Sequence, residues 1–180
     1  MDIYKNTIQN KRGVEVIPIT EIRTLAVSSP EPLDRTSEGI VISIEDSLDF
    51  GAVDTTDEAQ DSPVRVIWWR VTDMQGNTEI SNMRVWISDT TGFVGNDSWY
   101  IDITDNWIPG KTPVQVKTGT PGPAPLFEPP SNLTKHGGGT ITGTTHDQTS
   151  QYIYITGNIG VNETTGKKTG LKLTIKFDYH

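Results

Sequence analysis

Cysteine is absent from the 180-residue chain, which removes disulfide scaffolds, thiolate metal sites and cysteine nucleophiles together. Long apolar runs are missing as well: none approaches the roughly 20 residues that carry a helix across a bilayer. The opening Met1-Asp2-Ile3-Tyr4-Lys5-Asn6 has no apolar core of a secretory leader. With Met1 as the natural start, the product is therefore expected to be made and kept in the cytoplasm, or to leave it by lysis. Basic residues are scattered, 15 Lys and Arg against 23 Asp and Glu for a net charge of −8, so neither nucleic acid nor a membrane is an expected partner. No heptad, amphipathic helical period or internal repeat is present.

What is there reads as β-structure. Only 33% of the residues are apolar, and Thr, Gly, Asn, Asp and Ser fill the rest, as in a loop-rich all-β protein. The stretch from Ser37 to Phe93 holds three of the five Trp, each able to remove roughly 150–250 Å² from water. Its apolar runs are short, β-branched or aromatic, and bounded by Gly, Pro, Asp or Asn. The patterning predicts strands near 39–45, 63–72, 79–88, 98–103, 151–157 and 170–179, with no helix longer than about three turns in 38–180. The last of these has five apolar residues at period two, Leu171, Leu173, Ile175, Phe177 and Tyr179, and is expected to close a C-terminal hairpin with Tyr152-Ile153-Tyr154-Ile155. Phe50, Trp68, Val85, Ile175 and Phe177 are the expected core. The fold class is an antiparallel β-sandwich, immunoglobulin-like or jelly-roll.

Two regions stand apart. Residues 1–37 end in the proline break Ser29-Pro30-Glu31-Pro32 and read as an N-terminal arm or an edge hairpin, leaving 38–180 as the sandwich domain. Within it, 109–135 is a proline-rich excursion: seven of the eleven prolines lie in 109–130, a density no ladder tolerates, with Val114 and Val116 as a brief strand. The run Val64–Val71 has apolar residues at both parities. Either a bulge lies at Trp68-Trp69, or the outer face is covered by the arm or another subunit.

Catalytic patterns are wanting. His136, His146 and His180 show no metal-ligand spacing, although the first two lie in segments that can approach each other. The acidic loop 54–61 lacks the order of a calcium loop. His136-Gly137-Gly138-Gly139 has neither a nucleophile nor an α/β context around it. No catalytic residue, metal ligand or cofactor is assigned.

The segment Ser47-Leu48-Asp49-Phe50-Gly51-Ala52-Val53, followed by Ile80-Ser81-Asn82-Met83-Arg84-Val85-Trp86-Ile87-Ser88, resembles the start of immunoglobulin-like domains of the choice-of-anchor and spindle-associated type. Those domains open on a Leu-x-Phe-Gly-x-Val pattern. Residues 81–93 and 169–179 are similar in style to uncharacterised bacteriophage tail and head-accessory proteins. The resemblance implies a non-enzymatic virion structural protein, a head decoration or tail component. It would bind other virion proteins and copies of itself as a homo-oligomer. The expected partner-binding residues are Trp69, Trp86, Pro121, Pro123 and Phe127. The alternative is a surface-exposed carbohydrate-binding module in which Trp86, Tyr152 and Tyr154 stack on sugar rings.

Overall fold

A computed structural model of the chain describes residues 2–5, 16–42, 48, 50–90, 97–114, 131–161, 163 and 171–180. Among the described residues ten strands follow in order: β1 (Asp2–Lys5), β2 (Ile19–Ala26), β3 (Ile40–Ile42), β4 (Gln60–Asp61), β5 (Arg65–Asp73), β6 (Ile80–Thr90), β7 (Ser98–Thr104), β8 (Ser131–Asn132), β9 (Tyr152–Ile159) and β10 (Leu171–Tyr179). Among the described residues the one helical element is a 3-10 turn at His146–Gln148. Period-two patterning and β-branched runs thus become strands in 65–73, 80–90, 98–104, 152–159 and 171–179, and in the described part of 39–45 at Ile40–Ile42.

Two sheets form. The first has the order β1-β10-β6-β8, and the second β3-β2-β5-β9-β4, with β7 also on β9. Pairing is antiparallel except between β1 and β10. Strand β7 runs along one side of β9, so β5 and β4 share the other. The chain crosses between sheets at Met74–Asn77, where Gln75 and Gly76 both take positive φ and the Asn77 N–H donates to the Met74 carbonyl at 3.0 Å. Only residues that tolerate the left-handed region close so tight a turn.

One core cluster fills the space between the sheets. Ile67, Trp69, Val71, Ile101, Ile153 and Ile155 come from the second sheet, and Ile80, Val85, Ile87, Leu173 and Phe177 from the first. Leu48, Phe50 and Val53 also reach this core, Phe50 edge-on to Trp99 at 5.3 Å and only partly buried, but no strand runs through the described part of 48–53. Trp68, Val85, Ile175 and Phe177 are buried as expected.

Several expectations are corrected. Strands β9 and β10 do not form a hairpin: β9 pairs with β7, β5 and β4, and β10 with β6 and β1, in opposite sheets. Both strands are apolar on the face turned to the shared core, and sequence alternation alone does not say from which side they approach it. The hairpin partner of β2 is β3, through Ile22↔Ile42 and Thr24↔Ile40, and β2 is bonded on its other side to β5. The expected boundary at 37/38 therefore falls inside the β2–β3 connection. Val114 is not in a strand; its N–H donates to the Asp102 carboxylate at 3.2 Å. Val116 lies outside the described residues.

The double-sided pattern of β5 has a simple origin. Its register with β2 is unbroken from Glu21↔Arg70 to Ala26↔Arg65, so no bulge lies at Trp68-Trp69. Val66 and Trp68 face away from the inter-sheet core and join Trp107, Tyr152 and Tyr154 in a second cluster, packed by Leu25, Val27 and Val64. The connection 27–39 lies over this outer face as a strap.

Candidate functional site

The strap is the most elaborated polar region among the described residues. The alternation that turns Trp68 outward does the same for its neighbours. Glu21, Arg23 and Arg70 occupy the same outer row, with Arg23 opposite Trp68 and Glu21 opposite Arg70. Glu21 Oε1 accepts from Arg23 Nε at 2.6 Å and from Arg70 Nη1 at 2.8 Å. The two guanidinium groups are thereby aimed at strap carbonyls: Arg23 donates to Glu38 O at 3.0 Å, and Arg70 to Thr36 O. Two indoles do the same from below. Trp68 Nε1–H donates to Arg35 O and Trp107 Nε1–H to Ser29 O, both at 2.8 Å. The Arg35 carbonyl is buried, and left unpaired it would cost several kcal/mol; the carbonyls of Ser29, Thr36 and Glu38 are only partly buried. At the end of the strap Gly39 has φ +84°, and a Cβ there would stand 2.7 Å from Trp68 Cη2. Glycine is needed both for the backbone and for the indole.

Arg35 is the centre of the region. It is 4% exposed. Its guanidinium donates to Thr149 Oγ1 at 3.1 Å and makes longer contacts with Tyr152 Oη at 3.4 Å and the His146 carbonyl at 3.5 Å. It also lies 5.7 Å from the Tyr152 ring centroid. Tyr152 in turn donates to Glu31 Oε1 at 3.2 Å. The rings of Trp68, Trp107 and His136 surround it edge-on at 5.9, 5.1 and 6.0 Å. Nδ1 of His146 accepts the Arg35 backbone N–H at 2.6 Å. Asp34 Oδ1 lies 3.4 Å from that nitrogen, and Asp105 Oδ1 lies 3.6 Å from Nδ1 of His136.

The electrostatics follow from this packing. Burial pushes the Tyr152 phenol up to about 12, against a smaller downward pull from Arg35. Tyr154 rises for the same first reason. The Asp34 carboxyl is held well below the usual carboxylate range by the hydroxyls of Ser37 and Thr36, then by the Thr36 amide. His136 is driven down by burial first and by Arg35 next.

A raised phenol pKa means that the stability tied to neutral Tyr152 is complete below about pH 10 and is lost as pH climbs through about 12. In an ultraviolet titration one phenol is expected to ionise last, near pH 12, and that late step should be missing from Tyr152→Phe. A titration in which all phenols ionise together near their ordinary pKa of about 10 would contradict the burial of Tyr152.

The arrangement fastens a loop. Tyr152 is fully buried, its hydroxyl is saturated by Arg35 and Glu31, and the Arg35 guanidinium is turned inward. Among the described residues no group of three or more His, Asp or Glu is placed to hold a metal ion. In the acidic loop Asp54 accepts from Thr56, Glu58 from Gln60 and Asp61 from Asn158, so these carboxylates serve local bonds and do not converge. Sequence reasoning passed over Arg35 and Glu31 altogether. The one available signal was the outward row Glu21, Arg23, Trp68 and Arg70, too polar for a bare core face and too aromatic for a wet one.

The expected partner-binding residues are placed differently. Trp69 is 3% exposed and sits between the sheets, its ring 4.7 Å from Phe177. It has no surface to offer a neighbour. Trp86 faces away from that core but is also only 3% exposed. Pro121, Pro123 and Phe127 lie outside the described residues. Searches of protein-family models, curated proteins and solved structures return no match to this chain.

Proposed function

We propose that the chain is a non-enzymatic structural component of a virus particle, a head decoration or tail accessory protein. In this reading it acts through contacts with neighbouring subunits, copies of itself among them, and its sandwich is of the immunoglobulin-like or jelly-roll kind. The observation that carries the reading is where the exposed apolar side chains lie. Val16, Ile17, Ile19, Leu33, Ile40 and Val41 follow the β2–β3 edge and its strap, with Leu33 89% and Ile40 71% exposed. Ile108 and Val114, the latter 73% exposed, mark the start of the excursion. A chain with 33% apolar residues that leaves these in water at one edge has the pattern of a docking surface. An edge strand adds unpaired backbone groups to it.

The acidic, Thr- and Gly-rich β-structure supports the virion setting, and the Leu48, Phe50 and Val53 pattern supports the sandwich. The sugar-binding alternative loses its platform, because Trp86, Tyr152 and Tyr154 are all buried and offer no ring face for stacking. Mass spectrometry of washed particles from the source virus tests the proposal. The chain is expected at a fixed ratio to the major particle proteins, and its absence from particles would overturn the reading.

A further inference from the structure

Strand β3 ends the second sheet: its partner is β2, and it stands last in the order β3-β2-β5-β9-β4. An end strand turns half of its backbone N–H and C=O groups away from the sheet. Such edges are usually blunted by a charge, a proline or a bulge. Gly39-Ile40-Val41-Ile42 has no charge and no proline, and its register with β2 is unbroken. Its side chains are open as well, Ile40 being 71% and Val41 45% exposed. We propose that β3 pairs antiparallel with β3 of a second copy across a twofold axis at Val41, joining two six-stranded sheets into one. The pairing rests on the reading of this edge as a subunit contact and gives that contact its partner and its register.

Shape and charge both select a second copy. A twofold contact needs a surface complementary to itself, and Ile40-Val41-Ile42 reads the same in both directions. With Val41 opposite Val41, each Ile40 stands opposite the other copy's Ile42. Ile42 belongs to the inter-sheet core, and Ile40 shares its parity on β3. The core is thereby continued across the axis by the side chain that the isolated chain leaves in water. Val41 pairs with Arg23, so it falls on the strap face and meets its own copy there. The chain carries a net charge of −8, and two copies repel each other unless they meet where carboxylates are absent. Residues 39–44 carry no charge. Glu38 is three positions from the axis, so the twofold does not set it against its own copy, the arrangement that like charges disfavour. A basic partner, which the net charge would attract, finds no carboxylate on this strand to pair with.

The absence of cysteine makes the test clean, because one introduced thiol reports alone. Cα atoms directly opposite in an antiparallel pair lie about 4.5–5.5 Å apart, inside the roughly 4.4–6.8 Å that a disulfide bridges. Under mild oxidation Val41→Cys is expected to form a covalent dimer about tenfold faster, or more, than Val161→Cys. Position 161 is just as open, at 49% exposure, and so measures random collision. Any other antiparallel register puts the two position-41 side chains on opposite faces, or their Cα atoms about 8 Å or more apart. Amide exchange of the unmodified chain gives a second reading. Those of Ile40, Val41 and Ile42 whose N–H points away from β2 should gain protection as protein concentration rises, which side-chain docking alone does not produce. Equal oxidation rates at the two positions, or protection that does not change with concentration, would overturn the pairing. Protection that appears only when other particle proteins are added would give the edge to another chain and overturn it too. A cross-linked dimer that is missing from washed particles would instead defeat the virion reading and leave the pairing standing.

Discussion

Truncating Trp69 to Ala is expected to cost about 3–5 kcal/mol, a large share of the roughly 5–15 kcal/mol that holds a typical domain folded. Trp69 comes from β5 in the six-stranded sheet, and its ring stacks obliquely at 4.7 Å on Phe177 of β10 in the other sheet. Removing the indole empties the inter-sheet space at the point where the two layers meet. The lost volume cannot be refilled by a neighbour, since Ile67 and Val71 on either side are already fully buried. Urea melts of the wild type and the variant read the effect directly. A docking tryptophan on an outer face would behave otherwise, leaving the monomer's stability within about 0.5 kcal/mol while weakening assembly. The result therefore separates the buried placement from the surface placement that the sequence suggested.

Replacing Arg35 by Ala is the second large expected loss, about 2–3 kcal/mol. The truncation removes charge-assisted bonds to Thr149 and Tyr152 and empties a space where the guanidinium is nearly inaccessible to water. The backbone bonds of residue 35 to Trp68 and His146 are not themselves deleted, so the loss measures the side chain. Arg35→Lys should recover little of it, because an ammonium cannot reproduce the planar fork that serves Thr149, Tyr152 and the His146 carbonyl together. Urea melts at neutral pH, followed by near-ultraviolet circular dichroism of the outer aromatic cluster, give both the magnitude and its place. A change below about 0.5 kcal/mol in Arg35→Ala would mean that the strap is fastened without it.

The strands were legible because local periodicity is a local property. Leu171 to Tyr179 alternates cleanly since β10 has one face on the core and one away from it, and the burial of Leu173, Ile175 and Phe177 against the half-open Lys172, Lys176 and Asp178 repeats that alternation. Pairing was not legible. Tyr152–Ile159 and Leu171–Tyr179 are consecutive and well patterned, yet which sheet each joins depends on long-range contacts that no single segment encodes. The strap was opaque for a related reason. Its residues are mostly Ser, Pro, Glu, Asp, Arg, Thr and Gly, the composition of an exposed loop, and the carbonyl-seeking row on the strand beneath gives it a fixed place. Trp68 and Trp69 look equivalent in the sequence. An unbroken register sends one to each face, and both faces are covered by the chain itself.

Size-exclusion chromatography with light scattering on the full chain tests the central claim most directly, paired with the double substitution Leu33→Asp and Ile40→Lys. Both positions are open to solvent in the isolated chain, so the substitutions should leave the melting temperature unchanged. The wild type is expected to run as a defined oligomer, consistent with an interface of more than about 1,000 Å², and the double variant as a folded monomer. A wild type that stays monomeric at every concentration, or a variant that assembles as the wild type does, would contradict a subunit-contact function carried by the β2–β3 edge.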